Sequence, residues 1–246
     1  GKYMPMIVKK LHEAGMPLDL VYMVSAESNF NVRARSNKNA VGLWQFIAST
    51  GRLYGLKINR WIDERRDPIL STKAAISYLK HLYGMFGDWE LAMAAYNTGE
   101  GRVNRAIKRA KKKGRKHNYS SLRLPRETRN YVPAIMALSI IYKNSERYGF
   151  GHVNKMPPMD ETQDNLPVSF SLEEVAKRSK MKFRTLRELN PALYLGVPPM
   201  KQKNYSFYIP KLNQKELLAS INKNPEPSKQ WSLSYNKLLG NSGSVT

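Results

Sequence analysis

The chain has 246 residues, a formal net charge of +22 and no cysteine. Basic residues outnumber acidic ones by about two to one, so the surface should attract polyanions such as nucleic acid, anionic lipid or an acidic polysaccharide. The lack of cysteine excludes disulfides and cysteine-based metal or redox sites.

The histidines do not form a metal-binding pattern. His12, His81, His117 and His152 are scattered, and no two have the spacing of metal ligands, so we expect no metal and no other cofactor. No run of residues is long and apolar enough to cross a membrane, and the first residues lack the apolar stretch of a secretory signal. Because the chain begins almost on a helix, we expect a processed or trimmed protein, so the lack of this stretch does not exclude an export signal that has been removed.

The first helices lead to a single carboxylic acid. Residues 4–14 have the period of an amphipathic helix that Gly15 ends and Pro17 keeps from continuing. The next helix has an apolar stripe at i, i+3, i+4 and i+7, formed by Leu20, Met23, Val24 and Glu27. Burial raises the pKa of a carboxyl, and a shift of about two units, roughly 2.7 kcal/mol, keeps it largely protonated near pH 6. Glu27 is therefore a candidate general acid, the alternative being a partly buried glutamate at a helix end.

Two unlike segments follow this helix. Residues 31–39 lack a hydrophobic period and are predicted to form a loop against the end of the Glu27 helix. Residues 40–46 mix apolar and aromatic side chains with the amide of Gln45. This combination suits a sugar-binding wall, in which a ring stacks on a pyranose and an amide reads an acetamido group. The alternative is the start of a core helix.

The middle of the chain is predicted to be mostly helical. An irregular, charged segment precedes a long helix over residues 68–86, which an Asp-Pro pair opens, and Asp88 caps the next helix. That helix ends at Tyr96 and Asn97, just before a glycine. These two residues either border a cleft or are a core tyrosine and a helix C-cap.

The helical part of the chain ends near residue 149. A helix starting at Glu100 ends in a dense basic block over 108–116, which is either a solvated helix end or a grip on an anionic polymer. A last helix runs from about 124 to 149, and Pro133 fits only near its start. Because every confident element is helical, residues 1–149 are expected to form one all-α domain.

The composition changes after this domain. Residues 150–167 are rich in Pro, Asp, Asn and Gln, which indicates a linker. A small α+β module is predicted over 168–211 and a partly extended tail over 212–246. The predicted elements are a strand at 168–170, helices at 172–179 and 183–189, a strand at 205–209 and a tail helix at 214–221.

Four short motifs occur in order in the helical domain. They are Glu27-Ser28, Gly42-Leu43-Trp44-Gln45, Ala95-Tyr96-Asn97-Thr98-Gly99 and Glu127-Thr128-Arg129-Asn130-Tyr131-Val132. Together they resemble the signatures of family 1 lytic transglycosylases, and the match covers residues 5–149. The resemblance implies a mainly α, lysozyme-like fold of the goose-type SLT class. Residues 168–210 resemble a LysM module, a βααβ unit that binds N-acetylglucosamine chains, although Ser-Phe-Ser replaces the usual Gly-Asp-Thr.

The family resemblance implies cleavage of the β-1,4 bond between N-acetylmuramic acid and N-acetylglucosamine without net addition of water. Glu27 would protonate the leaving oxygen and then take the proton of the muramoyl 6-hydroxyl, which closes a 1,6-anhydro ring. One acid for both steps fits a motif with no second acid, since ordinary glycosidases use a pair. The residues implied around the sugar are Ser28, Ser36, Gln45, Phe46, Tyr96, Asn97, Glu127 and Tyr131, with Tyr131 near the reacting centre and Glu127 supporting. Asn39 stands where the family often has Gly, and Asn tolerates a left-handed backbone.

The same resemblance implies peptidoglycan as the partner, and its peptide carboxylates suit a basic surface. It implies a monomer in the periplasm or cell envelope, associated with the outer membrane through an N-terminal anchor that this chain lacks, and no nucleic-acid partner. Three alternatives stay open at this point: a muramidase on the same fold, in which water completes the reaction, a non-catalytic cell-wall-binding protein, and a nucleic-acid binder that rests on charge alone.

Overall fold

The computed structural model describes residues 1–153, 156–159, 163–167, 170–197 and 204–226. It divides into two compact units. The first unit comprises residues 1–56 and 68–158, and the second comprises residues 57–67 and 159–246. Residues 57–67 therefore group with the C-terminal part of the chain, whereas the sequence placed them inside the first domain. The other predicted domain boundaries stay predictions.

The described part of the first unit is built from seven α-helices. They are α1 (Met4–Glu13), α2 (Val21–Ser28), α3 (Ala48–Leu53), α4 (Pro68–Phe86), α5 (Trp89–Thr98), α6 (Glu100–Lys112) and α7 (Arg126–Lys143), with short 3₁₀ turns at Leu18–Leu20 and Tyr119–Ser121. The mainly helical fold class is confirmed. No helix within the described ranges is both long and apolar enough to span a bilayer.

Local sequence signals account for several helix ends. Gly15 has a positive φ of 65° directly after α1, which a residue with a Cβ rarely adopts. The Asp88 side chain accepts a hydrogen bond from the backbone N–H of Leu91 at 2.8 Å and so caps α5. Pro133, expected near a helix start, lies inside α7. Since α7 already begins at Arg126, the missing N–H of Pro133 removes one hydrogen bond from the helix interior.

Residues 40–46 are neither a helix start nor an exposed aromatic wall. They form a turn between isolated β-bridges that join Val41 to Arg35 and to Phe46. The Trp44 side chain is fully buried, and its Nε1–H donates to Thr72 Oγ1 at 3.0 Å. An indole in the core needs such a partner, and Thr72 on α4 supplies it. Trp44 therefore belongs to the core and cannot stack on a sugar.

The second unit has the predicted βααβ order. Its elements are β1 (Gln163–Pro167), α8 (Leu172–Arg178), α9 (Phe183–Leu189), β2 (Asn204–Tyr208) and α10 (Lys211–Lys223), and β1 pairs antiparallel with β2. The first strand thus lies in the segment predicted to be a linker, because pairing with β2 rather than local composition makes it a strand. Of the strand predicted at 168–170, residues 168–169 lie outside the described residues. The likeness to a LysM module stays a prediction.

Residues 57–67 are packed into the core of the second unit. Ile62 is fully buried in a cluster that includes Phe170 and Phe207. The backbone N–H of Asp63 donates to the carbonyl of Ala192 at 2.9 Å. The Tyr208 hydroxyl donates to Asp67 Oδ1 at 2.8 Å, and both residues are buried. These contacts explain why a segment ahead of α4 belongs to the C-terminal unit.

The predicted tail is partly helical. α10 covers the helix expected at 214–221 and extends it at both ends. Residues 227–246, the rest of the predicted tail, lie outside the described residues.

Candidate active site

Glu27 lies in the last turn of α2, and it is half-buried. Asn29, which follows the helix, has a left-handed φ of 50° and ends it. Burial raises the pKa of Glu27 to about 7. The hydrogen bond from Tyr131 opposes this rise, and the negative charge of Glu127 adds to it. The direction agrees with the sequence prediction, and the carboxyl is partly protonated at neutral pH.

Tyr131 is the direct partner of this carboxyl. Its hydroxyl donates to Glu27 Oε1 at 2.5 Å. The contact exists because α7 packs against α2, which brings together residues far apart in the chain. Burial and the charge of Glu27 raise the pKa of Tyr131 well above its ordinary value, so the phenol stays neutral and remains a donor.

The end of α5 joins α7 through the side chain of Asn97. Asn97 Oδ1 accepts a hydrogen bond from Thr128 Oγ1 at 2.8 Å, and Asn97 Nδ2 donates to Glu127 Oε1 at 3.4 Å. Tyr119 holds the same turn of α7, because its hydroxyl donates to the carbonyl oxygens of Thr128 and Arg129, both at 2.9 Å. The amide of Asn97 thus positions Glu127 beside Glu27.

Hydrogen bonds of Ser28 and Gln45 stabilise the turn at residues 40–46, and that of Ser28 connects the turn to α2. Ser28 Oγ donates to the carbonyl of Leu43 at 2.8 Å. Gln45 Nε2 donates to the carbonyl of Gly42 at 2.8 Å, and Gln45 itself has a left-handed φ of 49°. A non-glycine residue in this conformation is strained and persists only where its surroundings hold it.

Two predicted sugar contacts have other roles in this structure. Ser36 Oγ accepts from the backbone N–H groups of Ala40 at 3.1 Å and Lys38 at 3.3 Å, so it shapes its loop. Asn39 in that loop has a φ of 58°, which confirms the expected left-handed backbone. Phe46 is only 2% exposed, and its ring packs 6.1 Å from that of Tyr96. We correct the expectation for Phe46, because a buried ring offers almost no surface to a sugar and instead supports Tyr96.

Tyr96 belongs to a row of tyrosines that the sequence did not reveal. Its hydroxyl donates to the carbonyl of Trp44 at 2.7 Å. Its ring lies 5.2 Å from that of Tyr78, which in turn lies 4.8 Å from that of Tyr54. The Tyr78 hydroxyl donates to Glu100 Oε2 at 3.1 Å. Tyr54 comes from a segment with no clear period, so no sequence signal connects it with Tyr96.

Thr128 and Tyr119 are two further residues of the site that were not predicted from the sequence. Thr128 stands inside the fourth motif, next to Glu127, and its neighbours alone could have singled it out. Tyr119 follows the basic block and has no such signal. No group of three or more His, Cys, Asp or Glu in the described part of the chain could hold a metal ion.

Parts of this chain are similar to known proteins. A family profile described as "Transglycosylase SLT domain" matches residues 5–119. Membrane-bound lytic murein transglycosylase D from Escherichia coli is 46% identical over 181 residues, which are 73% of this chain and 39% of that protein. Peptidoglycan transglycosylase gp16 of Escherichia phage T7 is 36% identical over 121 residues, or 48% of this chain and 9% of that protein. The chain therefore spans well under half the length of these relatives.

A solved structure is also similar. It is an inactive mutant of lytic transglycosylase Slt from Pseudomonas aeruginosa, with 23% identity and a TM-score of 0.43 over 58% of this chain and 24% of that chain. The residues that the SLT profile matches include the first three of the four motifs. The chain belongs to the family 1 lytic transglycosylases.

Proposed function

We propose that this protein cleaves peptidoglycan glycan strands as a lytic transglycosylase, with Glu27 as both general acid and general base. The observation that carries the proposal is the pairing of Glu27, whose pKa is raised to about 7, with a neutral tyrosine donor. Hydrogen bonds between residues of the four motifs support a single site. The names of two relatives, which specify murein and peptidoglycan, support the substrate. A location in the cell envelope follows from that substrate.

In the first step the acid form of Glu27 is used. Tyr131 occupies Oε1, so the acid proton is on Oε2 and is free to leave. The bond between C1 of N-acetylmuramic acid and the bridging oxygen breaks, its electron pair goes to that oxygen, and the oxygen takes the proton of Glu27. The acetamido oxygen of the substrate bonds to the electron-poor C1. A pKa close to the working pH suits a group that must give up its proton in the transition state.

In the second step the carboxylate of Glu27 is the base. The 6-hydroxyl oxygen of the same sugar attacks C1, and its proton goes to Glu27. The bond between C1 and the acetamido oxygen breaks, its electron pair returns to the acetamido group, and the 1,6-anhydro ring closes. The acid is thereby restored without a water molecule. Tyr131 stabilises the carboxylate between the steps, because a hydrogen bond to the charged form favours that form.

The other side chains of the site have positioning roles in this proposal. Ser28 and Gln45 hold the 40–46 turn beside Glu27. Asn97 holds Glu127, whose charge raises the pKa of Glu27. Tyr96, anchored to the carbonyl of Trp44, supplies a half-buried ring next to the acid.

A muramidase reaction is the second candidate, and Glu127 is the observation that favours it. Its charge acts on Glu27, so a second carboxylate is near the acid, although none accompanies Glu27 in its own motif. Inverting glycosidases use a second carboxylate to activate water on the opposite face of the sugar. In such an enzyme Glu127→Gln would abolish turnover. In a transglycosylase the same change only shifts the pH dependence.

Mass spectrometry of digested peptidoglycan tests the proposal. Incubation of sacculi with the wild type should release fragments that end in anhydromuramic acid, and Glu27→Gln should release none. Products with reducing ends, each heavier by one water, would refute the transglycosylase and favour the muramidase. Binding to sacculi without any released fragment would indicate a non-catalytic cell-wall-binding protein.

A further inference from the structure

Helix α6 and the turn after it carry an unusual density of positive charge. Nine of the fifteen residues at 102–116 are Lys or Arg, and no Asp or Glu occurs from 101 to 126. All nine side chains are exposed. None of them forms a salt bridge with any residue in the described ranges. We call residues 102–116 the α6 basic surface.

The apolar side of α6 is already used by the fold. Val103 and Ala110 are buried, and α6 packs on α5. No large hydrophobic residue is exposed between 101 and 118. A helix that binds a bilayer buries an apolar face in the boundary between headgroups and acyl chains. Because α6 has no such face to offer, its surface suits a hydrophilic polyanion better than a lipid membrane.

The position of α6 connects this surface with the active site. α6 begins at Glu100, two residues after α5 ends with Asn97 and Thr98, so it starts at the edge of the site. At about 1.5 Å per residue, α6 extends roughly 20 Å from that point. A substrate polymer longer than the site can therefore contact both at once.

We propose that the α6 basic surface binds the peptide carboxylates of peptidoglycan outside the catalytic site and holds the enzyme on the insoluble polymer. This inference rests on the proposed function. A single exposed ion pair contributes little and is screened by salt. Several on one face act together, because each bound carboxylate raises the effective concentration of the next.

Two triple variants with the same loss of charge separate this local surface from the general positive charge of the protein. The test variant is Lys108→Gln, Lys111→Gln and Lys112→Gln, which lie on one stripe of α6. The control variant is Lys9→Gln, Lys73→Gln and Lys80→Gln, which are exposed on α1 and α4. Glutamine keeps a helix propensity close to that of lysine, so both variants should fold.

Binding is measured by cosedimentation with intact sacculi, in a Glu27→Gln background that prevents cleavage. The concentration for half-maximal binding should rise about tenfold for the test variant and hardly at all for the control. At about 0.5 M salt the difference should shrink, because exposed charges are then screened. On glycan strands stripped of their peptides by an amidase, the two variants and the Glu27→Gln parent should bind alike.

Four results would overturn the inference. The first two are equal losses of binding to sacculi in both triple variants, and unchanged binding of the test variant to sacculi. The other two are the same loss of binding on peptide-free strands, and a loss of binding confined to phosphatidylglycerol vesicles. The last would assign the surface to a lipid membrane. Since binding is measured without turnover, failure of this inference is distinct from failure of the proposed reaction, which appears in the products of the wild type.

Discussion

Glu27→Gln tests the chemistry and the electrostatics of the site in one variant. In the folded protein the pKa of Glu27 rises from an ordinary value of 4.5 to about 7. At about 1.4 kcal/mol per unit, this shift means that ionised Glu27 destabilises the fold by up to about 3 kcal/mol. The half-buried position of the side chain makes this figure an upper bound, since nearby solvent screens the charge.

The sign of this effect on folding stability depends on which state, folded or unfolded, binds the proton of Glu27 more tightly. The folded state holds the proton of Glu27 more tightly than the unfolded chain does, so this group favours folding below about pH 4.5. That contribution is lost as the pH rises through about 7. Glutamine carries no charge at any pH, so Glu27→Gln should gain stability relative to the wild type between about pH 5 and about pH 8.

The assay is urea denaturation at these two pH values, with turnover of sacculi measured on the same preparations. We expect the relative gain at the higher pH together with a loss of at least about 100-fold in turnover. Glu13→Gln, an exposed glutamate on α1, is the matched control and should change neither quantity. Near-normal turnover would show that another acid performs the chemistry. A stability difference that does not change with pH would refute the raised pKa.

Three further variants have separate outcomes. Tyr131→Phe removes the hydrogen bond that lowers the pKa of Glu27, so the alkaline limb of the kcat/KM profile should move to higher pH. Turnover should fall more than stability, and equal losses of the two would indicate a packing role. Glu127→Gln removes a charge that raises the pKa of Glu27, so the alkaline limb of the pH–rate profile should move to lower pH. An unchanged alkaline limb would show that the charge of Glu127 does not affect Glu27. Ile62→Ala should destabilise the second unit by about 2–5 kcal/mol. Hydrogen exchange should become faster in α8 and β2, while α4 stays protected. Faster exchange in α4 alone would contradict the assignment of Ile62 to the second unit.

The helical domain could be predicted because its signals are local. Amphipathic periods, the Asp88 cap and Gly15 each act within a few residues, and the structure has helices where they indicate them. The raised pKa of Glu27 was also within reach, since its place on an apolar stripe already implies burial. Strand β1 was misplaced because its pairing partner lies far along the chain, and composition does not reveal a partner.

The sequence by itself determined the helical class of this protein, the acid at the end of α2 and the order of the four motifs, all of which depend on spacing along the chain. Only the tertiary structure decided that Tyr131 donates to Glu27, that Phe46 and Trp44 are core residues, and that residues 57–67 complete the C-terminal unit. Those outcomes depend on which side chains meet when helices and strands pack. A one-dimensional pattern records how residues are spaced, whereas burial and hydrogen bonding between distant segments arise only when the chain has folded.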